Sequence, residues 1–221
     1  MPLQTPIHVN DDCTAVLWQI DEDEPTLRAD LPLTMAEADD LANITHPAQR
    51  VEWLACRVAL RALVGPPYAG LWKDEFGKPH LIRDTYVLSV PENQLVSGSG
   101  HISLSHTAGW AAAVWHRTRP VGVDIEPLRT QFGRVVPRVL SQREMAHANG
   151  DLMRLAVYWC AKEALYKLYG KRQLTFREHL LIDPFADGDA HLIGHVRLPD
   201  HHETIRIVCH RAGPGLMAVA F

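Results

Sequence analysis

Asp124 and Glu126, in the stretch RPVGVDIEPLR, stand two residues apart at the end of an apolar alternation. Side chains two apart on a strand share a face. Two carboxylates so placed repel each other and want a cation. A third carboxylate, Glu163, lies in WCAKEALYK between Lys162 and Lys167. On a helix, Glu163 and Lys167 form a favourable i,i+4 pair, worth roughly 0.3–0.5 kcal/mol when exposed. Trp159, Cys160, Ala161, Ala164, Leu165 and Leu168 make this segment mostly apolar, so partial burial of its charges is expected. Three carboxylates suit a hard divalent cation, Mg²⁺ where a phosphate completes its shell. Two flanking lysines suit that phosphate. Ordinary salt bridges are the competing reading of the same charges.

Two strong helical patterns organise the chain. HPAQRVEWLACRVALRALVG carries an apolar stripe through Val51, Leu54, Val58, Leu60 and Leu63, stopped by Gly65-Pro66-Pro67. RLAVYWCAKEALYKLYG is the second. At an offset of 105 residues, Ala59 meets Ala164, Leu60 meets Leu165, Leu63 meets Leu168, Gly65 meets Gly170 and Arg57 meets Lys162. At an offset of 104, His106-Thr107-Ala108-Gly109 meets His210-Arg211-Ala212-Gly213. These matches predict two structural repeats, each a helix followed by strands, with a ligand cleft between them. Strands are expected at TAVLWQI, LWKDEFGKPHL (two, with a turn at Gly77), GHISLSHTAGWAAAVWH (two), the VGVD segment, LLIDPF, HLIGHVRL, TIRIVCH and GLMAVAF. PLTMAEADDLANI reads as a helix with Thr34 and Glu37 spaced for a capping box.

The chain has 221 residues, room for one large domain or two small ones, and is 47% hydrophobic, as a soluble globular protein is. A net charge of −4 argues against nucleic-acid binding. The scattered Cys13, Cys56, Cys160 and Cys209 read as reduced thiols in a cytoplasmic protein. There is no apolar run long enough to span a membrane and no signal-peptide pattern. Acidic residues crowd the early chain, whereas six arginines (117, 119, 129, 134, 138 and 143) fall around Asp124 and Glu126. That reads as solvated faces of opposite sign or as a basic surface for an acidic partner.

Val121-Gly122-Val123-Asp124, followed 39 residues after Asp124 by Glu163 in Trp159-Cys160-Ala161-Lys162-Glu163-Ala164-Leu165-Tyr166-Lys167, resembles the paired signature of the 4'-phosphopantetheinyl transferases. Two separated motifs of matching chemistry are specific where a lone short one is not. The length and the internal repeat resemble the Sfp-type branch. That resemblance implies an α+β fold of two similar halves, 1–118 and 119–221, related by a pseudo-twofold with the active site in the cleft between them. It also implies transfer of the phosphopantetheine arm of coenzyme A to a serine of an apo acyl or peptidyl carrier protein, releasing 3',5'-ADP. Asp124, Glu126 and Glu163 would hold Mg²⁺. Glu163 would be the base, and Lys167, with Lys162 and His106, would donate to phosphate oxygens. HISLSHT resembles the family's Ser-His turn, which places Ser105 and His106 at the coenzyme phosphates. FGKPHL resembles its Gly-Lys-Pro element, which places Lys78 and Pro79 near the adenosine end. RVEWLACR resembles a helix facing the 3'-phosphate, with Arg57 the better candidate and Arg50 the next. Residues 1–45 carry no transferable motif.

The carrier is expected to dock on the Arg-rich segment 128–143, where Phe132, Val136, Val139 and Leu140 lie at helical spacing beside Arg134 and Arg138. The alternative is that these apolar residues are core. A monomer is expected, with neither nucleic acid nor membrane as partner. Rival functions are a Mg²⁺-dependent phosphate-ester or pyrophosphate hydrolase and a non-catalytic binding module. A zinc site at His191, His195, His201, His202 and His210 is disfavoured, because i,i+4 spacing does not gather ligands on a strand.

Overall fold

The computed structural model describes residues 6–66, 68–83, 100–172, 174–212 and 215–221, so Pro67 and Gly213 of the sequence reading lie outside the described residues. The chain divides into two compact units, Met1–Pro120 and Val121–Phe221.

The first unit begins with β1 (Ile7–Asn10) and β2 (Cys13–Gln19). Three helices follow: α1 (Glu24–Arg28), α2 (Met35–Asn43) and α3 (Pro47–Val64). Strands β3 (Tyr68–Lys73), β4 (Pro79–Arg83), β5 (His101–Thr107) and β6 (Trp110–His116) complete it. Its antiparallel sheet runs β1-β2-β6-β5, and β3-β4 form a separate hairpin. α2 starts in the expected capping box, with Thr34 and Glu37 each satisfying the other's backbone N–H. α3 lays Leu54, Ala55, Ala59 and Leu60 against Val16, Trp18, Ala111 and Ala113 of the sheet, and this is the unit's core. Two elements of this unit, β1 and α1, are not among those the sequence predicts. The acidic DEDE run is structural in part: Asp23 caps α1, and Glu24 pairs with Arg50.

The second unit begins with β7 (Gly122–Pro127). α4 (Phe132–Val135) and a 3-10 turn, Val136–Arg138, lead to α5 (Gln142–Ala148) and α6 (Leu152–Tyr169). Then come α7 (Phe176–His179), β8 (Leu180–Ile182), β9 (His191–Leu198), β10 (His201–Ala212) and β11 (Gly215–Ala220). The sheet runs β7-β11-β10-β9-β8, antiparallel throughout. α6 is capped by Asp151 and ends at Gly170 in the left-handed region, φ 71°.

The internal repeat is visible in the pairing. Helices α3 and α6 both have 18 residues and begin 105 positions apart. In the first unit β2 pairs β6 and β6 pairs β5. In the second, β7 pairs β11 and β11 pairs β10. The hairpins correct the sequence register by one residue. Thr107 faces Trp110 and Ala212 faces Gly215, so the hairpin offset is also 105. His106 therefore corresponds to Arg211, not to His210. Through the shared partner strands, Val16 corresponds to Asp124 and Trp18 to Glu126.

Candidate active site

Gly122 lets the second unit's helix and strand meet. A Cβ there would lie 2.0 Å from the carbonyl oxygen of Ala164 and 2.5 Å from the amide nitrogen of Leu168, both backbone atoms of α6. With no side chain, β7 lies directly against α6. Val123 and Ile125 are buried, and Asp124 and Glu126 project from the opposite face of the strand.

The spacing of α6 matches that of β7. Trp159, Glu163 and Lys167 recur every four residues on one helix face. Four helical residues rise about 6 Å, close to the span of two strand residues. At one end the Trp159 indole N–H donates to Glu126 Oε1 at 3.0 Å. At the other, Lys167 Nζ donates to Asp124 Oδ1 at 2.7 Å. Glu163 lies between them and feels both carboxylates. The thiol of Cys160 donates to the Asp124 carbonyl oxygen at 3.3 Å and fixes the strand backbone. Arg129 Nη2 stands 3.6 Å from Glu126 Oε2.

Asp124 is only 5% exposed. Burial first, then the negative charge of Asp124, push the Glu163 carboxyl up to about 7; Lys167 opposes the rise and Glu126 adds to it. Glu126 is raised mainly by burial, against the Trp159 hydrogen bond. Glu163 is thus a carboxyl that exchanges its proton near neutrality.

The donor set is all oxygen, which fits a hard cation rather than zinc. Excess negative charge around Glu163 favours a cation as well. Among the described residues, no three His, Cys, Asp or Glu side chains already stand as a metal cage. Lys167 serves as counter-ion to Asp124, and Trp159 and Arg129 hold Glu126. A cavity of about 600 Å³ lined by Met153, Arg154, Val157, Phe185, His210 and Leu216 includes none of these carboxylates.

Three of the residues expected to bind the coenzyme are spent elsewhere. Lys162 is 0% exposed. Its ammonium donates to Glu144 at 2.8 Å and to the carbonyls of Val139, Phe176 and Leu180. An ammonium has three protons, and four acceptors surround this one. Lys162 is a core ion, not a phosphate donor. Arg57 is 5% exposed. It donates to Glu37 at 2.7 Å and to the Trp53 carbonyl, and its guanidinium lies 3.1 Å from the centre of the Trp53 ring. Arg50 grips both oxygens of Glu24 and reaches the carbonyls of Leu41 and Ile44 at the end of α2. Neither arginine is held out for a phosphate. The acidic partners of these cations, Glu144, Glu37 and Glu24, lie 18 to 26 residues away, beyond what local spacing shows. Ser141 and Glu144 do have capping-box spacing, the one readable sign of the first partner.

The other expected groups are placed as follows. Lys78 is half-buried in the turn after β3, where Asp74 accepts from its N–H and from that of Phe76. Burial lowers the Lys78 ammonium, and Asp74 opposes the shift. Pro79 opens β4. Ser105 is buried on β5, and the Cys56 thiol donates to its carbonyl. His106, the next residue, is exposed, with Nδ1 2.8 Å from Glu52 Oε2. In the Arg-rich segment, Phe132, Val136 and Leu140 are buried core and Val139 packs against that core, which corrects the expected apolar docking face. The large apolar side chains exposed there are Leu128 and Val135, each 45% exposed, and Arg129, Arg134, Arg138 and Arg143 are exposed beside them. His191 and His195 lie on β9 and the other three histidines on β10; His195 is tied to Asp183 and Thr204.

Residues 120–210 match the family model of the 4'-phosphopantetheinyl transferase superfamily. The match supports phosphopantetheinyl transfer in general as the activity class. It runs from β7 through most of β10 and so includes Asp124, Glu126, Glu163 and Lys167. The first unit, Pro120 apart, lies outside it. No curated protein matches the chain. Among the described residues, no helix is long and apolar enough to cross a membrane.

Proposed function

We propose that the protein transfers the 4'-phosphopantetheine arm of coenzyme A to a serine hydroxyl of an apo acyl or peptidyl carrier protein and releases 3',5'-ADP, as an Sfp-type enzyme does. The observation that carries this reading is the line of Trp159, Glu163 and Lys167 on α6 against Asp124 and Glu126, inside the family-matched segment. The serine oxygen forms a bond to the pantetheine-side phosphorus. The bond from that phosphorus to the bridging oxygen breaks, and its electron pair leaves with 3',5'-ADP.

Glu163 takes the serine proton on a carboxylate oxygen, a role supported by its place between Asp124 and Glu126 on the face of α6 that carries Lys167. Lys167 holds an ammonium beside the reacting phosphates. Asp124, Glu126 and Glu163 would hold Mg²⁺. When bound, that ion offsets the pyrophosphate charge. The first unit contributes coenzyme contacts through Lys78, Pro79, Ser105 and His106. The acidic face of the carrier docks on Leu128, Arg134, Val135 and Arg138, which are exposed in the Arg-rich segment. The protein acts as a cytoplasmic monomer in this reading.

Mass spectrometry of a panel of apo carriers after incubation with coenzyme A and Mg²⁺ tests the proposal. One added phosphopantetheine on any carrier supports it. Rapid 3',5'-ADP release without a carrier would point to the hydrolase instead.

A further inference from the structure

α3 holds β5 at two points one helical turn apart. The thiol of Cys56 donates to the Ser105 carbonyl oxygen at 3.3 Å. Four residues earlier, Glu52 Oε2 lies 2.8 Å from His106 Nδ1. The Glu52 side chain is 15% exposed and the His106 ring 41%. The carboxylate is tucked against the fold, and the ring reaches outward from it.

The internal repeat separates framework from function here. At the positions equivalent to Glu52 and His106, the second unit has Val157 and Arg211. That unit builds the same strand–helix–hairpin path without any such pair. The fold therefore does not require the pair. By contrast, the buried ion pair between the long helix and a helix-capping glutamate recurs, as Arg57 with Glu37 in one unit and Lys162 with Glu144 in the other.

We propose that Glu52 is a positioning residue for His106: its carboxylate fixes the ring's orientation and keeps a proton on Nδ1. This inference rests on the reading of His106 as a coenzyme phosphate contact. A carboxylate only accepts hydrogen bonds, so Nδ1 must carry hydrogen. A phosphate oxygen also only accepts, so Nε2 must carry hydrogen when it meets one. Held by Glu52 through Nδ1, the ring turns Nε2 away from the fold, in position to donate to the phosphate.

The test compares wild type with Glu52→Gln, Glu52→Ala and Glu52→Asp. Long-range ¹H–¹⁵N spectra read which ring nitrogen of His106 is protonated. Calorimetry reads the Kd for coenzyme A, and the carrier assay reads transfer. Wild type should show Nδ1 protonated. Glu52→Ala should lose that signature and weaken coenzyme A binding about 3–10-fold. Glu52→Asp should recover part of both, and adding Glu52→Ala to His106→Ala should cost no more than His106→Ala alone. An unchanged His106 signature in Glu52→Ala would overturn the inference whatever the transfer assay shows. An altered signature with unchanged coenzyme affinity would overturn the functional half of it. Loss of the signature and of affinity in a protein that modifies no carrier would leave Glu52 in its role and remove the transferase reading instead. The near-isosteric Glu52→Gln guards against a folding defect: it should show the same weakening of coenzyme binding with an unchanged melting temperature.

Discussion

Arg57, the eleventh residue of α3, meets Glu37; Lys162, the eleventh residue of α6, meets Glu144. Both glutamates stand at the third position of a capped helix. Both also accept from the backbone N–H of the strand that follows the long helix, Leu71 in one unit and Ile182 in the other. One buried carboxylate thus ties a helix start, a helix middle and a strand together in each half. The site carboxylates have no such counterparts. Val16, Trp18, Val58 and Ala62 occupy the first-unit positions of Asp124, Glu126, Glu163 and Lys167. What recurs is framework, and what appears once is chemistry. Gly122 follows the same division, since Thr14 stands at its equivalent on β2. The backbone-to-backbone approach of strand and helix belongs to the half with the charges.

The largest expected effects come from breaking the shared frame. Arg57→Ala and Lys162→Ala each leave a buried glutamate without its cation, a loss of about 3–5 kcal/mol. Urea unfolding measures it. If Lys162→Ala abolishes transfer while stability holds, the assignment of Lys162 to the framework is wrong. Next comes Asp124→Ala, expected to lower kcat by about 10²–10³ through loss of charge placement. Val16→Ala, its counterpart, should act through stability alone. Equal losses of kcat from the two would erase the distinction between the halves.

Glu163→Gln is expected to trade activity for stability. Its carboxyl is raised in the folded protein, so folding is favoured by protonation. That advantage is complete below the unfolded value near 4.5 and is lost as pH rises through about 7. In metal-free protein at pH 8 the variant should be more stable than wild type by roughly 1–3 kcal/mol, and the two should converge near pH 4. A thermal-denaturation series over pH reads this directly. The smallest expected effect is on docking. Reversing Arg134 and Arg138 should raise KM for the carrier several-fold, about 1 kcal/mol, with less change for coenzyme A. An unchanged carrier KM would move the docking surface elsewhere.

Much was legible in the chain because it depends on local spacing. The helix at Pro47–Val64, the helix at Leu152–Tyr169, the Thr34–Glu37 capping box and the VGVD strand follow from periodicity and from residues a few positions apart. The repeat was legible in the helices and one residue off in the hairpins. Two HxAG strings align by identity, whereas strand pairing fixes where each turn falls. The charges were legible as a set, but their partners were not. Lys162 and Lys167 look alike in sequence, flanking Glu163 on one helix. A helix turns 100° per residue, so the five-residue step from one to the other places Lys162 toward the core and Glu144, and Lys167 toward Asp124.

The sequence by itself determined the two long helices, most of the strands and the shared strand face of Asp124 and Glu126, because periods of 2 and 3.6 place side chains on faces. Only the tertiary structure decided which charges are consumed by the core. Arg50, Arg57 and Lys162 are bound by glutamates that packing brings to them from 18 to 26 residues away. A buried charge must find a partner wherever the fold provides one, and that address is not written in local spacing.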